Sequence, residues 1–578
     1  MKVLLTAINA KYIHSNPAVY SLKAYAQNGK RSSDTTIEIA EYTINQPEDG
    51  ILEDIYLRRP DIIGFSCYIW NIEIVRRLVD LLHQVMPDVP IWLGGPEVSF
   101  DCEAVLREMP GAKGIMVSEG ERVFDRLLSC YEGSVQLVEV PGLVYRDGDT
   151  ICIQPPEAPM DLSLVPFYYD DMSKFENKIV YYESSRGCPF RCSYCLSSVD
   201  KNLRFRDLEL VKKELMIFLD AKVPQVKFVD RTFNCKKSHA MAIWEFIRSH
   251  DNGVTNFHFE VRADLLDEDA FDLLAQMRPG QVQLEIGVQS TNPQTLQEIR
   301  RYAAFDRIAD AVRRVKAGGN IHQHLDLIAG LPWEDYESFS RSFDTVYALE
   351  PDQLQLGFLK VLKGAHMWEK QEDYGLCYKK TPPYEVLYTK WLPYEDVLRL
   401  KGVEEMVEQY YNSGQFRHTL SYLVRFFTGP FAMFEAMANR YRAWVLPGQN
   451  VNRNARYEWL LHFVEEFAPE AEEGVRVLLT YDLYLREKVK SRPAFAGDSN
   501  VWKEKCSERM SELWESERAA GRYEGPYRQF LHETHMEHFA LDPMALARTG
   551  EKKAGDYWCW FDYRKKDPLN GNGIVTFR

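Results

Sequence analysis

Cys188, Cys192 and Cys195 carry the strongest chemistry in this chain. They stand in the run Cys188-Pro-Phe-Arg-Cys192-Ser-Tyr-Cys195, directly after the apolar stretch Ile179-Val180-Tyr181-Tyr182. A structural zinc ion takes four Cys or His ligands at finger-like spacing, but no further Cys or His follows closely, and the next cysteine is Cys235. A four-iron, four-sulfur cluster normally takes four thiolates. Three from one short loop leave one iron open, and an open iron is a place for a small molecule to bind. The spacing favours the cluster.

With the aromatic Tyr194 just before its last cysteine, this motif resembles that of the radical S-adenosylmethionine (SAM) enzymes. The resemblance implies that the amino and carboxylate groups of SAM chelate the open iron. One electron from the cluster then cleaves SAM to methionine and a 5'-deoxyadenosyl radical. The elements that must position this chemistry are six strand–helix units, with strands expected over 179–183, 226–230, 258–262, 283–288, 324–329 and 353–359. Six units make an incomplete barrel that is open on one side, with its chemistry at the carboxyl ends of the strands.

Other strand ends receive roles from the same resemblance. Arg262 is placed to pair the SAM carboxylate in bidentate fashion. Asp230, in Phe228-Val-Asp-Arg-Thr-Phe233, stands where the family often puts an acid near the SAM amine. Gln289, in Ile286-Gly-Val-Gln-Ser290, and Asp326, in Asp326-Leu-Ile-Ala-Gly-Leu-Pro332, match stretches that contact SAM or frame its ribose. Tyr194 joins this set, and Glu285 is a further candidate. Each also has a plain structural reading, since polar residues at strand ends often cap the next helix and Gly330-Leu-Pro332 reads as a turn.

Ahead of this barrel, residues 1–145 alternate short apolar strands (3–8, 37–41, 62–66, 91–93, 114–117) with amphipathic stretches (17–27, 72–85, 122–128). Such alternation predicts a doubly wound parallel sheet with its ligand at the strands' carboxyl ends. The special residues lie at those ends: Ser66, then Gly94-Gly95-Pro96-Glu97, then Ser118-Glu119-Gly120-Glu121. With Asn16-Pro17-Ala18 and Gly142-Leu-Val-Tyr-Arg146, they resemble the cobalamin-binding domain found ahead of the radical domain in one large radical SAM class. That resemblance makes Tyr12, His14, Asn16, Ser66, Gly94, Gly95, Glu119 and Gly120 the cobalamin-binding candidates. The Asp-x-His-x-x-Gly stretch whose histidine ligates cobalt in cobalamin mutases is absent. The nearest histidine is His14, expected to hydrogen-bond its own loop backbone in preference to cobalt. Methylthiotransferases that modify tRNA also carry a doubly wound N-terminal domain, with three cysteines for a second cluster. Here Cys67, Cys102 and Cys130 fall at unrelated positions.

Residues 146–178 read as a connector, 179–375 as the partial (β/α)6 barrel, and 376–578 as a mainly helical domain crowded with Tyr, Trp and Phe. In that last part, helices are expected over 457–467, 475–485 and 501–514, and an edge strand over 557–563. The fold class is α/β. Of 578 residues, 45% are hydrophobic and 27% charged, the balance of a globular protein. Residues 376–578 carry 29 basic and 29 acidic side chains, so the net charge of −15 lies wholly in the first 375. Neither part looks like a surface that tracks phosphates, which disfavours nucleic acid. No apolar run reaches membrane-spanning length, and Met1-Lys-Val-Leu-Leu-Thr-Ala-Ile reads as a strand, not a signal peptide. Eleven cysteines, three of them needed as thiolates, point to a reducing cytoplasm.

The function that the resemblance implies is that of a cobalamin-dependent radical SAM enzyme, a methyltransferase acting on an unactivated carbon or on phosphorus. Its cofactors would be a [4Fe-4S] cluster, SAM and cobalamin. A small molecule or peptide would be the substrate, and flavodoxin or ferredoxin the low-potential electron donor. Two alternatives stay open: the same cofactors used for oxidation, cyclisation or rearrangement, and a cluster- or corrinoid-binding sensor without turnover.

Overall fold

The computed structural model describes residues 1–29, 34–444 and 451–577. Its first sheet contains β1 (Lys2–Asn9), β2 (Thr36–Thr43), β3 (Ile62–Ser66), β4 (Ile91–Gly94), β5 (Gly114–Met116), β6 (Leu143–Asp147) and β7 (Thr150–Ile153), in the spatial order β2-β1-β3-β4-β5-β6-β7. The first five strands are parallel, and β6 and β7 add an antiparallel edge. The sheet therefore runs past residue 145 to Ile153, because the hairpin at Gly148 folds β7 back onto β6. In β1, Val3, Leu4, Leu5, Ala7 and Ile8 are all buried, as a central strand covered on both faces requires. Helices Pro17–Asn28 and Gly120–Tyr131 cover one face, and Glu48–Arg58, Ile72–Val85 and Cys102–Glu108 the other. Strand order reverses between β1 and β3, and in such sheets the ligand crevice opens outside the carboxyl ends at that point.

The second sheet consists of six parallel strands: β8 (Val180–Tyr182), then, after the short hairpin β9 (Ser185–Arg186) and β10 (Arg204–Phe205), β11 (Gln225–Phe228), β12 (Asn256–Val261), β13 (Val282–Gln289), β14 (His322–Ala329) and β15 (Gln353–Phe358). Their order β15-β14-β13-β12-β11-β8 is that of an open partial barrel. Along β13 the buried residues Val282, Leu284, Ile286 and Val288 face the outer helices, and Gln283, Glu285, Gly287 and Gln289 face inward. The same alternation holds in β14.

The remaining chain forms the hairpin β16 (Cys377–Tyr378) and β17 (Val386–Tyr388), a helical layer, and a three-stranded antiparallel sheet of β18 (Thr534–Leu541), β19 (Ala554–Lys566) and β20 (Gly573–Phe577). The stretch 557–563, expected at an edge, is the middle strand of that sheet, because β20 pairs on its far side. The aromatic helices are core: Phe343 on the barrel's helix Tyr336–Tyr347 packs edge-on against Phe431 and Phe434. Asn412 also covers the free edge of β15, accepting from Leu354 N at 2.9 Å and donating to Leu354 O at 3.0 Å. An edge strand left bare would template pairing with another chain. No helix among the described residues is long and apolar enough to cross a membrane.

Candidate functional site

The cysteine loop leaves the carboxyl end of β8 through β9 and returns through β10. Between them Gly187 adopts φ +93°, and a Cβ there would stand 2.6 Å from the Asn202 carbonyl oxygen, so glycine alone lets the neck close. Cys188 N donates to Asp200 O at 3.3 Å, and the loop is pinned to the barrel by Ser193 N to Ile299 O (2.9 Å) and Met367 N to Ser193 O (2.8 Å). Cys188 and Cys192 are buried, Cys195 is half-buried, and none of the eleven cysteines is in a disulfide. Among the described residues no three Cys, His, Asp or Glu side chains could hold one metal ion. Cluster thiolates each bind a different iron and so stand farther apart than the ligands of a single ion. The three cysteines thus do not form a site for a single metal ion, while sharing one loop as the ligands of a cluster would. The buried Arg301 lies beneath it, with Nη1 4.0 Å from Cys192 Sγ.

The sequence-predicted SAM residues surround this loop in different ways. Asp230 is fully buried and accepts from Ser184 N (2.9 Å), Ser184 Oγ (2.7 Å) and Ser185 Oγ (2.6 Å). Burial pushes its carboxyl up to about 6, against those hydrogen bonds. It braces the base of the loop, with two of these bonds on Oδ1 and one on Oδ2. The Arg262 fork is occupied as well: Nε and Nη2 donate to Asp264 at 2.9 and 2.7 Å, and the guanidinium lies 4.1 Å over the ring of Phe190, inside the cysteine loop. The bidentate carboxylate partner expected for it is therefore supplied by the chain itself. Tyr194 packs with Leu296, Leu331 and Met367 beneath the loop. Asp326 lies 3.1 Å from His324 Nε2, and burial raises its pKa.

Gln289 differs from these. It holds φ +73°, a conformation costing a non-glycine residue on the order of 1–3 kcal/mol and concentrated at functional sites. Its buried Oε1 has no partner, and a Cβ on Gly287 would collide with its Nε2. A strained backbone aiming an unpaired acceptor at the strand ends suits ligand contact.

Among the cobalamin candidates, Asn16 and Ser66 meet at the β1/β3 switch point, with Asn16 Nδ2 donating to Ser66 Oγ at 3.0 Å. Asn16 precedes the helix Pro17–Asn28 but makes no capping bond, and its buried Oδ1 has no partner. Gly95 adopts φ +114°, and a Cβ there would lie 2.5 Å from Cys67 O, which keeps the ends of β3 and β4 close. Gly94 ends β4, its carbonyl accepting from Cys67 N at 2.7 Å. This backbone-lined crevice with an unsatisfied buried acceptor fits a flat ligand. Tyr12 is exposed. His14 does not bond its own loop backbone as expected: its Nδ1 lies 2.6 Å from the Tyr181 hydroxyl on β8, so the ring is tied to the barrel.

The Gly120 region plays a different part. A Cβ on Gly120 would press on Leu22 at 2.8 Å, so the glycine serves helix packing. Glu119 accepts from Met160 N at 2.9 Å and pairs with Arg204 and Arg186. The buried Glu121 takes Arg186 at 2.8 Å. Burial would raise the Glu121 carboxyl, but Arg186 and Ser21 outweigh it and hold it below the usual range. This stretch is an inter-sheet tie. It is joined by Lys178 to Glu41 (2.9 Å) and Tyr384 to Glu97 (2.7 Å). Through these contacts the loops at the carboxyl ends of the first sheet face the carboxyl ends of the barrel, with the Asn16–Ser66 crevice on one side and the cysteine loop on the other.

Inside the barrel, the inward positions are polar and partly open to solvent. Glu285 bonds His258 Nε2 at 2.8 Å and Lys227 Nζ at 3.2 Å. Glu260, Glu285 and His324 lie side by side in register on β12, β13 and β14. Sequence reasoning named Glu285 and Asp326 from this layer and missed Lys227, His258, Glu260 and His324, although polar residues at every second position of apolar strands are visible in the sequence.

A model of the B12 binding domain matches residues 3–128 and a model of the Radical SAM superfamily matches residues 182–346. The chain belongs to the cobalamin-dependent radical SAM family. This radical SAM enzyme is matched over residues 372–561 by a third model, described as a protein of unknown function (DUF4080). An uncharacterised methyltransferase of Pyrococcus horikoshii is 25% identical over 340 residues, covering 56% of this chain and 73% of that protein. The cobalamin-dependent radical SAM methyltransferase TokK of Streptomyces tokunonensis is 26% identical over 366 residues, covering 58% of this chain and 51% of TokK. Among solved structures, the cobalamin-dependent SAM radical enzyme OxsB, with aqua-cobalamin and SAM bound, has a TM-score of 0.53 at 16% identity over 92% of this chain and 82% of OxsB. That likeness is one of fold. The family's cofactors, cobalamin, a [4Fe-4S] cluster and SAM, are those the two facing loop sets fit.

Proposed function

We propose that this radical SAM enzyme is a methyltransferase that places a methyl group on an unactivated carbon or a phosphorus centre of a small molecule or peptide. The observation that carries the reading is the opposition of two strand-end crevices across one gap, joined to relatives named as methyltransferases. When bound, the cluster would supply the electron that cleaves SAM to a radical and cobalamin would carry the methyl group, chemistry that belongs to the cofactors.

The chain's own residues hold and shield. Cys188, Cys192 and Cys195 would ligate three irons, with Arg301 balancing thiolate charge from below. Asp230, through Ser184 and Ser185, fixes the height of the loop, and Arg262 on Phe190 fixes its lateral position. Gln289 would accept a hydrogen bond from SAM. Asn16, Ser66, Gly94 and Gly95 would line the cobalamin site, with His14, its Nδ1 against the Tyr181 hydroxyl, at the border with the barrel. The hairpin β16–β17, whose connecting Tyr384 donates to Glu97 at 2.7 Å, ties the chain after the barrel to the first sheet. A flavodoxin or ferredoxin would supply electrons. A reducing cytoplasm suits eleven unpaired cysteines.

The test is anaerobic turnover with SAM labelled in its methyl group, using protein reconstituted with iron, sulfide and hydroxocobalamin. S-adenosylhomocysteine that forms only when corrinoid is present, and a product one CH2 heavier than its substrate, support methyl transfer. A product that has lost hydrogens without gaining label rejects it in favour of oxidation or cyclisation.

A further inference from the structure

The interior of a complete barrel is normally filled by apolar side chains in layers. Here the inward face is polar at every level. Gln283 and His322 stand at the bottom with His258, while Glu260, Glu285 and His324 form the middle row. Gly287 and Asp326 lie above them, below Gln289. These side chains keep partial exposure, apart from the nearly buried His258.

Most of the middle row is committed. Lys227 and His258 both bind Glu285, and His324 faces Asp326. Glu260 has no hydrogen bond or ion pair with any described residue. It is faced by Glu285 from β13, Asp326 from β14, Lys227 from β11 and Arg231 just beyond β11. Burial and the two acids push its carboxyl up to about 7, with Arg231 and Lys227 opposing. His258 on its own strand has its pKa lowered by burial and does not serve as a cation for it. Two further lumen atoms are fully buried without partners, His322 Nδ1 at the bottom and Gln289 Oε1 at the top. This half-open polar chamber holds one carboxyl group with no hydrogen bond or close ion pair, opposed only at longer range by Arg231 and Lys227, and a buried hydrogen-bonding atom above and below it without a partner, which suits a polar ligand.

We infer that the barrel lumen is a substrate subsite for a protonated amine, with Glu260 as the residue that receives the ammonium group. The assignment deepens the radical SAM reading and rests on it, because the lumen opens directly under the cysteine loop. A neutral donor would give Glu260 a hydrogen bond but no countercharge beside Glu285 and Asp326, and an anion would add a further like charge. An ammonium group gives it a charge-assisted partner, and any proton that the Glu260 carboxyl holds beforehand passes to solvent. Specificity follows from the cost of leaving a buried polar group unmatched.

The test uses unreduced holoenzyme loaded with cluster, cobalamin and SAM, so that the SAM site is filled. The probes are n-butylammonium and its neutral analogue n-butanol, and binding is read by saturation-transfer NMR. Wild type is expected to bind butylammonium saturably and more tightly than butanol. Glu260→Gln should weaken butylammonium roughly tenfold, the size of a lost charge-assisted hydrogen bond, and leave butanol unchanged. In wild type alone, which needs no variant to fold, butylammonium should bind more tightly as the pH rises from about 6 to about 8 while butanol does not, since Glu260 then meets the ligand already ionised. Equal affinity for the two probes, or an unchanged Glu260→Gln, overturns the assignment. A Glu260→Gln enzyme that no longer makes 5'-deoxyadenosine on reduction also overturns it, by making Glu260 part of the SAM site. Wild type that selects the ammonium but makes no deoxyadenosine leaves the subsite standing and rejects the radical SAM function instead.

Discussion

Arg186, two residues before Cys188, donates to Glu121 of the first sheet's last covering helix at 2.8 Å. The same guanidinium also bonds Glu183 at 2.8 Å, so the neck of the cysteine loop is fastened to the neighbouring domain. A loop that must hold three thiolates in fixed places, next to a second cofactor, is thereby positioned by both sheets at once.

Breaking this tie should be costly. Arg186→Met leaves Glu121 buried without its cation, and the expected loss is roughly 3 kcal/mol or more. Urea unfolding reads it as a lower midpoint, and an unchanged midpoint would contradict the role. The Glu121 carboxyl has its folded pKa held below the ordinary 4.5. Its contribution is therefore complete above that value and disappears as the pH falls through the lowered one. Glu121→Gln should remove part of the acid limb of the stability profile.

The cysteine assignment separates three residues from eight. Cys188→Ser, Cys192→Ser and Cys195→Ser should each lose the cluster on anaerobic reconstitution, measured as iron and sulfide per chain. Cys235→Ser and Cys377→Ser should keep it. Burial pushes the Cys235 thiol up to about 11, so it stays protonated beside the loop. Cluster loss in Cys235→Ser would mean a fourth protein ligand and no open iron for SAM.

Gly287 keeps Gln289 in its strained position. Gly287→Ala puts a Cβ where the Gln289 amide lies, and displacing that amide should weaken SAM binding by roughly tenfold, about 1.4 kcal/mol. Gln289→Ala should move affinity the same way. Equilibrium dialysis of SAM against reconstituted, unreduced protein measures both, and unchanged affinity in the pair would remove Gln289 from the site.

Asp230 is predicted to show itself through pH. Its folded pKa is raised from the ordinary 3.8 to about 6. The folded state therefore holds a proton that the unfolded state releases, and stability falls as the pH rises between those values, by about 3 kcal/mol. Asp230→Asn should flatten that segment of the profile. A variant profile parallel to wild type across the window would show that Asp230 is ionised without cost.

What could be read from the chain itself was what depends on neighbours in sequence. The cysteine loop announces itself in eight residues, and the strands of both sheets follow from apolar runs bounded by Gly, Pro and polar turns. Long-range pairing was not legible. Glu119 and Glu121 sit in a glycine-rich strand end that resembles a ligand loop, but their partners Arg186 and Arg204 lie some 65 to 85 residues away and nothing local marks them. Arg262 was expected to reach for a ligand's carboxylate, and Asp264, two residues on, already fills its fork. The lumen was half legible: His258 and Glu260, or His324 and Asp326, alternate with apolar residues, but which face turns inward is decided only when the barrel curls. The stretch 557–563 alternates as an edge strand does, and its second neighbour, β20, is only five residues long and follows a turn.

The most direct test of the central claim, two cofactors held face to face, is corrinoid content after anaerobic reconstitution with iron, sulfide and hydroxocobalamin, read by absorbance and by paramagnetic resonance of the cob(II) state. Stoichiometric corrinoid alongside the cluster is the expected result, and because His14 Nδ1 is taken by Tyr181, only its Nε2 could split the cobalt signal. A full cluster without corrinoid would contradict the claim, whereas a nitrogen-split cobalt signal would make His14 a ligand and leave the two-cofactor arrangement standing.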